Sequence, residues 1–179
     1  MKDVSAATTT FPTRAFAPAR APSFAEAAER HLDDVYRYLL VFTRDPSAAE
    51  DLAAETFERA LRTWRRFDPA RASARTWLCT IARSVALDHF RSEQRRRRRE
   101  RAVSEPEGLT PPPDLGLSPE LERAMAALSA AEREVVALRI VLDLDADAAA
   151  HLLGISTTAC TTRLSRALKR LEELMSNDE

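Results

Sequence analysis

The stretch DADAAAHLLGISTTACTTRLSRALKRL, Asp145 to Leu171, decides how this chain is to be read. Asp145 is a short acceptor placed to cap a brief helix that runs to Leu153. Gly154 supplies the left-handed conformation that stops that helix, because it carries no Cβ to clash. Ser156 then caps a second, longer helix. Short helix, glycine turn, serine cap and basic amphipathic helix together make a helix-turn-helix pattern. Two helices joined by so tight a turn cross steeply, and the second projects outward in a form that enters a DNA major groove.

The spacing of the last helix divides it into two faces. Cys160, Leu164, Ala167, Leu168, Leu171 and Leu174 form an apolar stripe. Thr157, Thr158, Thr161, Thr162, Arg163, Arg166, Lys169 and Arg170 lie largely outside it. In this geometry the amino-terminal residues meet base edges and later cations hold phosphates. Arg163 is the one early side chain able to grip guanine bidentately. The plain alternative is a solvated polar face on an ordinary bundle helix. Overall charge does not decide between them, with a net charge of -1 at pH 7. Local charge does: Ser156–Leu171 holds four cations and no acid, inside a segment, 118–179, with 7 basic and 11 acidic residues.

Working upstream, Ser129-Ala-Ala-Glu132 is a capping box opening a helix with Val135, Val136, Leu138 and Ile140. Ser118-Pro119 starts another, with serine as cap and proline at the first helical position. Before it, residues 102–117 carry Pro106, Pro111, Pro112, Pro113, Gly108 and Gly116, which marks an extended linker and a domain boundary. Only three glycines occur, against abundant Ala, Leu, Arg and Glu, and no stretch alternates with period two. The fold class is all-α, as two small helical domains, 23–101 and 118–176, joined by that linker. Residues 1–22, rich in Thr, Ala and Pro without periodicity, form a flexible tail.

The first domain holds three amphipathic helices, enough for one bundle. The first, from Ser23, carries Leu32, Val35, Leu39 and Phe42 until Asp45-Pro46 breaks it. Ser47-Ala-Ala-Glu50 has the form of a second capping box. The helix it opens sets Ala49, Leu52, Ala53, Thr56, Phe57, Ala60, Leu61 and Trp64 on one face. Its start is acidic (Glu50, Asp51, Glu55) and its end basic, which suits the helix dipole and also offers one end to a basic partner. The third helix starts near Ser73 or Thr76, carries Trp77, Leu78, Ile81, Val85 and Phe90, and runs into Arg95–Arg99. Beside DNA that arginine run neutralises phosphates.

Several function classes are excluded. No nucleophile–base pair, paired-carboxylate site or Gly-rich phosphate loop is visible, so no catalytic residue is expected and the chain is not read as an enzyme. Cys79 and Cys160 both fall on apolar stripes, as small core hydrophobes. No Cys/His cluster has metal-ligand spacing, and neither metal nor cofactor is expected. His31, His89 and His151 lack partners at useful spacing, although His89 approaches DNA by position. No apolar run reaches the ~20 residues of a membrane span, and the amino terminus lacks a signal-peptide core. A cytoplasmic protein without membrane insertion is expected, with no appended regulatory module after Glu173.

Four segments carry a family resemblance. Gly154–Leu171 resembles the promoter-reading helix of bacterial extracytoplasmic-function (ECF) sigma factors, and Leu128–Leu138 resembles the helix before it. Ala49–Phe57 is similar to the segment with which these factors grip the clamp helices of RNA polymerase. Trp77–Arg91 resembles their segment that melts and reads the −10 element. The four stand in the family's order and cover residues 24–175.

The resemblance implies a DNA-binding subunit that gives core RNA polymerase its promoter specificity and catalyses nothing itself. Glu50, Asp51, Leu52, Glu55 and Phe57 would dock on polymerase, whose clamp helices and flap are the expected contacts. Arg71, Arg75, Trp77, Arg83, Ser84 and Arg91 would hold the −10 strand as it opens, a task that suits cationic and aromatic groups. Thr157, Thr158, Thr161, Thr162, Arg163 and Arg166 would read the −35 element. An anti-sigma factor is a further partner that the family suggests. The chain departs from the family pattern at Ala54, where Gln is usual, and at Ser84, where Asn is usual. Ala149 and Cys160 replace larger aliphatics, which points to a loosely filled second core. Two other classes compete: a helix-turn-helix regulator acting without polymerase, which leaves the acidic Glu50–Glu55 face unexplained, and a protein-binding adaptor, which leaves the basic last helix unexplained.

Overall fold

The computed structural model describes residues 21–100 and 117–176. The tail at 1–22 and the linker at 102–117 lie almost wholly outside these residues. Among the described residues every regular element is helical.

The first unit is built from α1 (Phe24–Thr43), α2 (Pro46–Thr63) and α3 (Ala74–Glu100). Ser23 caps α1 through a reciprocal box with Glu26. The helix stops where Arg44 turns left-handed at φ 58°, its N–H donating to the Leu40 carbonyl. The sequence points to Ser47 as the next cap, but the structure gives that role to Asp45. Its carboxylate accepts from the Ala48 N–H at 3.1 Å, with Pro46 at the first helical position. Proline needs no N–H partner there and is fixed at a helical φ, so helix formation begins two residues early. Ala49, Leu52, Ala53, Thr56 and Ala60 of α2 are buried, whereas Leu61 is 58% exposed rather than on the core face. The buried Thr56 hydroxyl donates to the Leu52 carbonyl at 2.7 Å, so its burial leaves no unpaired group.

A single 3₁₀ turn, Trp64–Arg66, follows α2. Trp64 stacks on Phe67 at 4.6 Å and meets Phe24 and Trp77 edge-on at 5.7 and 5.3 Å. This aromatic cluster ties the start of α1 and the start of α3 to the end of α2. Ser73 caps α3 through the Thr76 N–H at 3.1 Å.

The second unit comprises α4 (Pro119–Ala127), α5 (Ala130–Val136), α6 (Ala146–Leu153) and α7 (Thr157–Ser176). Ser118 and Ser129 cap α4 and α5 as their spacing predicts. A π-helical turn, Ala137–Val141, widens the end of α5. The extra residue rotates the apolar stripe, and Ile140 ends up 54% exposed instead of inside. Asp143 at φ 47° then sends the chain back to α6. Gly154 takes φ 69° between α6 and α7, and Ser156 accepts the Ala159 N–H at 3.1 Å. A Cβ built at Gly154 meets nothing within 4 Å, so the cost of a side chain there is backbone strain alone. Gly154→Ala is expected to destabilise by about 1 kcal/mol, as measured by urea denaturation.

The two units are packed together, α1 and α3 of the first against α5, the π turn and α6 of the second. Their buried side chains form one continuous core, from Val35 and Leu78 through Leu138 to Leu171. Ala149 and Cys160 are both fully buried within it.

Candidate functional site

The helix-turn-helix is held by side chains as well as by its glycine. The Thr157 hydroxyl donates to Asp147 on α6 at 2.7 Å, fixing the start of α7 against its neighbour. Thr161 turns inward along its own helix and donates to the Thr157 carbonyl at 3.0 Å. Thr158 and Thr162 are exposed and make no hydrogen bond among the described residues, so their hydroxyls face solvent. Arg163 is half-buried beside Cys160, and Arg166 is exposed. Leu168 is 41% exposed, so the apolar stripe is narrower than its spacing predicts. Lys169 and Arg170 are partly balanced by Glu173 and Glu132 at 3.8 and 3.9 Å. Free cationic charge is therefore concentrated at Arg163 and Arg166, in the first half of the helix.

The second surface runs along α3 and the loop before it. Arg71 is exposed, with no side-chain partner among the described residues. Arg75 instead reaches Asp34 of α1, its Nη2 donating at 3.2 Å. Asp34 also faces His31 Nδ1 at 3.0 Å, so His31, expected to lack a partner at useful spacing, has one three residues on along α1. Burial opposes charge on Asp34, but the His31 and Arg75 contacts outweigh it and hold the carboxyl below its ordinary range. Trp77 is half-buried in the aromatic cluster. Arg83 points at the second unit, its Nε donating to Glu134 at 2.7 Å. Ser84 is exposed, and Arg91 is exposed but donates to Asp88 at 3.2 Å. Three of the four arginines on this surface are thus engaged internally.

The third surface lies on α2. Glu50 and Asp51 are exposed side by side in sequence and Glu55 about one turn later, where it pairs with Arg59 at 2.9 Å. Leu52 is only 4% exposed and belongs to the core, where it supports this face from beneath and does not present itself. Phe57 is half-buried, and exposed Leu61 follows it one turn later. Acidic residues beside a small apolar step suit a basic, partly apolar partner.

Glu134 is a buried charged group that the reading of the sequence missed. It is the one buried carboxylate among the described residues, 5% exposed, and it accepts from Tyr38 Oη at 3.1 Å and from Arg83. The signal was present: Glu134 stands four residues before Leu138, on the inward side of α5. Burial, with the Glu134 charge beside it, pushes the Tyr38 phenol well above its usual range. Burial also pushes the Cys79 thiol up to about 12. Alkylation at pH 8 is therefore expected to spare Cys79 in the folded protein and to modify it after denaturation, as read by mass spectrometry.

Among the described residues no group of His, Cys, Asp and Glu is arranged to hold a metal ion, and no helix is long and apolar enough to cross a membrane. Residues 27–96 match the Sigma-70 region 2 family, and residues 118–171 match Sigma-70, region 4. The chain is 32% identical over 154 residues to the ECF RNA polymerase sigma factor SigX of Bacillus subtilis, covering 79% of this chain and 78% of that one. It is 31% identical over 169 residues to the ECF RNA polymerase sigma factor BldN of Streptomyces coelicolor, covering 88% of this chain and 62% of that relative. In structure it is similar to the sigma factor RpoE of Bartonella quintana, solved in complex with the anti-sigma factor NepR. That likeness has a TM-score of 0.74 at 25% identity and covers 87% of this chain and 98% of that one.

Proposed function

The chain belongs to the ECF sigma factors and directs promoter-specific transcription by RNA polymerase, and on that premise we propose how its surfaces divide the work. The first unit, 23–101, docks on core polymerase through Glu50, Asp51, Glu55 and Phe57, with Leu52 supporting them. Leu61 extends that face. The same unit holds the opened −10 strand along Arg71, Arg75, Trp77, Arg83, Ser84 and Arg91. The second unit, 118–176, reads duplex DNA at the −35 element and meets the polymerase flap. The protein works in the cytoplasm with polymerase and acts by binding, with no catalytic step of its own. The RpoE relative is held by an anti-sigma factor, and we extend that class of partner to this chain.

The observation that carries this reading is the outward face of α7: two unpaired threonines and two cations on the amino-terminal half of the helix that follows Gly154. Amino-terminal placement is where a recognition helix touches bases. Arg163→Ala is expected to weaken promoter binding by holoenzyme by roughly 10- to 100-fold and to relax preference at one base pair. Arg166→Ala is expected to weaken all sequences alike and to reduce the salt dependence by about one phosphate contact. Electrophoretic selection of promoter DNA with both variants tests the assignment. Equal loss of preference in the two would remove Arg163 from base reading.

A further inference from the structure

Two arginines, Arg44 and Arg133, come together where α1 packs on α5. Arg44 is the left-handed residue that ends α1, and Arg133 lies on α5. Both are half-buried, and neither forms an ion pair among the described residues. Arg133 donates from Nη1 to the Leu128 carbonyl, whereas Arg44 donates only from its backbone N–H, to Leu40. The Nε atoms of both side chains are buried without a hydrogen-bond partner among the described residues. Glu132, next to Arg133 in sequence, is committed to the Ser129 cap. Burial, and then the charge of Arg44, hold the Arg133 guanidinium below its ordinary range. Like charges held half out of water with donors unmet are costly, and an acceptor-only group between them removes both costs.

A groove gives access to this pair. Arg133 lines it together with Thr43 and Asp45, the two neighbours of Arg44, and α3 contributes His89 and Phe90. Of the other charged groups in the groove, Glu93 pairs with Arg96 at 3.0 Å, Arg91 pairs with Asp88 at 3.2 Å, and Asp45 caps α2. That leaves Asp51 against Arg98 and Arg133, a positive excess to which Arg44 adds. A guanidinium presents a planar fork of donors that fits two oxygens at once. Two forks therefore call for a group with more than two acceptor oxygens and up to two negative charges. A phosphate meets that description and a carboxylate does not.

We propose that Arg44 and Arg133 form an anion site that takes a phosphate group, which enters by the groove between α2, α3 and α5. The site uses none of the residues assigned above to polymerase or to promoter DNA, so it stands apart from those assignments. Its ligand is a phosphate ester or pyrophosphate held by both guanidinium forks. A free phosphorylated compound and the backbone of a nucleic-acid strand present that same group.

Thermal unfolding of the full chain, titrated with pyrophosphate against sodium chloride at matched ionic strength, tests the site. The expected result is a saturable rise in the unfolding midpoint, about 3–6 °C at ten times the dissociation constant. Arg133→Gln and Arg44→Gln are each expected to lose most of that rise. Arg37→Gln, which removes an exposed cation elsewhere on α1, is expected to keep it. Should Arg133→Gln lose helix content, Arg44→Gln carries the comparison, because Arg44 lies just outside its helix. A rise that never saturates, or one that folded Arg44→Gln and Arg133→Gln retain in full, overturns the site. A single-stranded oligonucleotide added in competition separates the two sources. Displacement of pyrophosphate by the strand, with strand binding weakened in Arg133→Gln, keeps the site and assigns it to nucleic-acid phosphate. Pyrophosphate binding that the strand leaves unchanged keeps the site and assigns it to a free phosphorylated compound.

Discussion

Asp51→Ala combined with Glu55→Ala is expected to weaken association with core polymerase by on the order of 100-fold, while the far-ultraviolet circular dichroism stays that of the wild type. The two carboxylates lie four residues apart on α2 and therefore on one face, and both are exposed. Neither contributes to the packed interior, and surface substitutions of this kind usually change stability by only about 0.5 kcal/mol. Hydrogen bonds to charged groups are worth about 1.5–3 kcal/mol each when they become desolvated in an interface. Two such losses at the lower end of that range give the stated factor. Ala54, between these acids, is exposed and carries no polar group, so this face depends on the pair. A binding assay with labelled core enzyme reads the result; unchanged affinity would show that the acidic face meets something else.

Phe42→Ala is expected to cost about 3–5 kcal/mol of folding stability. Phe42 is 2% exposed and stands at the meeting point of the bundle. Its ring stacks on Tyr38 at 5.8 Å and takes Phe90 edge-on at 5.3 Å, so it joins α1 to the distal half of α3. Removing it leaves a cavity and also unseats Tyr38, the ring whose hydroxyl reaches Glu134. Lost stability and a looser junction between the units are expected together. Urea denaturation gives the first, and a loss below about 1 kcal/mol would mean that the core closes over the gap.

Most of the fold was legible because local chemistry and tertiary packing agree over long stretches. The Ser129–Glu132 box, Pro119 and Gly154 each satisfy or end a helix by themselves, and the structure uses all three as their spacing predicts. The disagreements come where two local signals compete or where a partner is distant in sequence. Asp45-Pro46 reads as a break after α1 and is also the start of α2, so Ser47 is displaced from its apparent cap. The π turn after Val136 inserts a residue that helical periodicity does not anticipate, which turns Ile140 outward. Leu61 and Leu168 fit apolar stripes by spacing, yet the neighbouring helices do not reach them.

The candidate surfaces were legible as exposed residue types in the right order. Their pairing state was not. Arg75 finds Asp34, 41 positions away, and Arg83 finds Glu134, 51 positions away; no helical spacing carries that information. Three of the arginines assigned to DNA are internally engaged in this arrangement, and the sequence alone presents them as free. Thr157 and Thr161 likewise spend their hydroxyls on Asp147 and on the helix itself, which narrows the outward set at the start of α7 to Thr158, Thr162 and Arg163. The helix-turn-helix thus survives as read, with fewer hands available to touch DNA.

The central claim is that this chain binds core polymerase and that the complex starts transcription at selected promoters. Reconstituted initiation tests it most directly: core enzyme and purified protein on a library of promoter fragments, with run-off transcripts sequenced. The account predicts transcripts that depend on added protein and arise from templates sharing a −35 and a −10 element, with core enzyme alone giving none of them. Folded protein that binds duplex DNA tightly by itself, and leaves the transcripts of core polymerase unchanged, would contradict it.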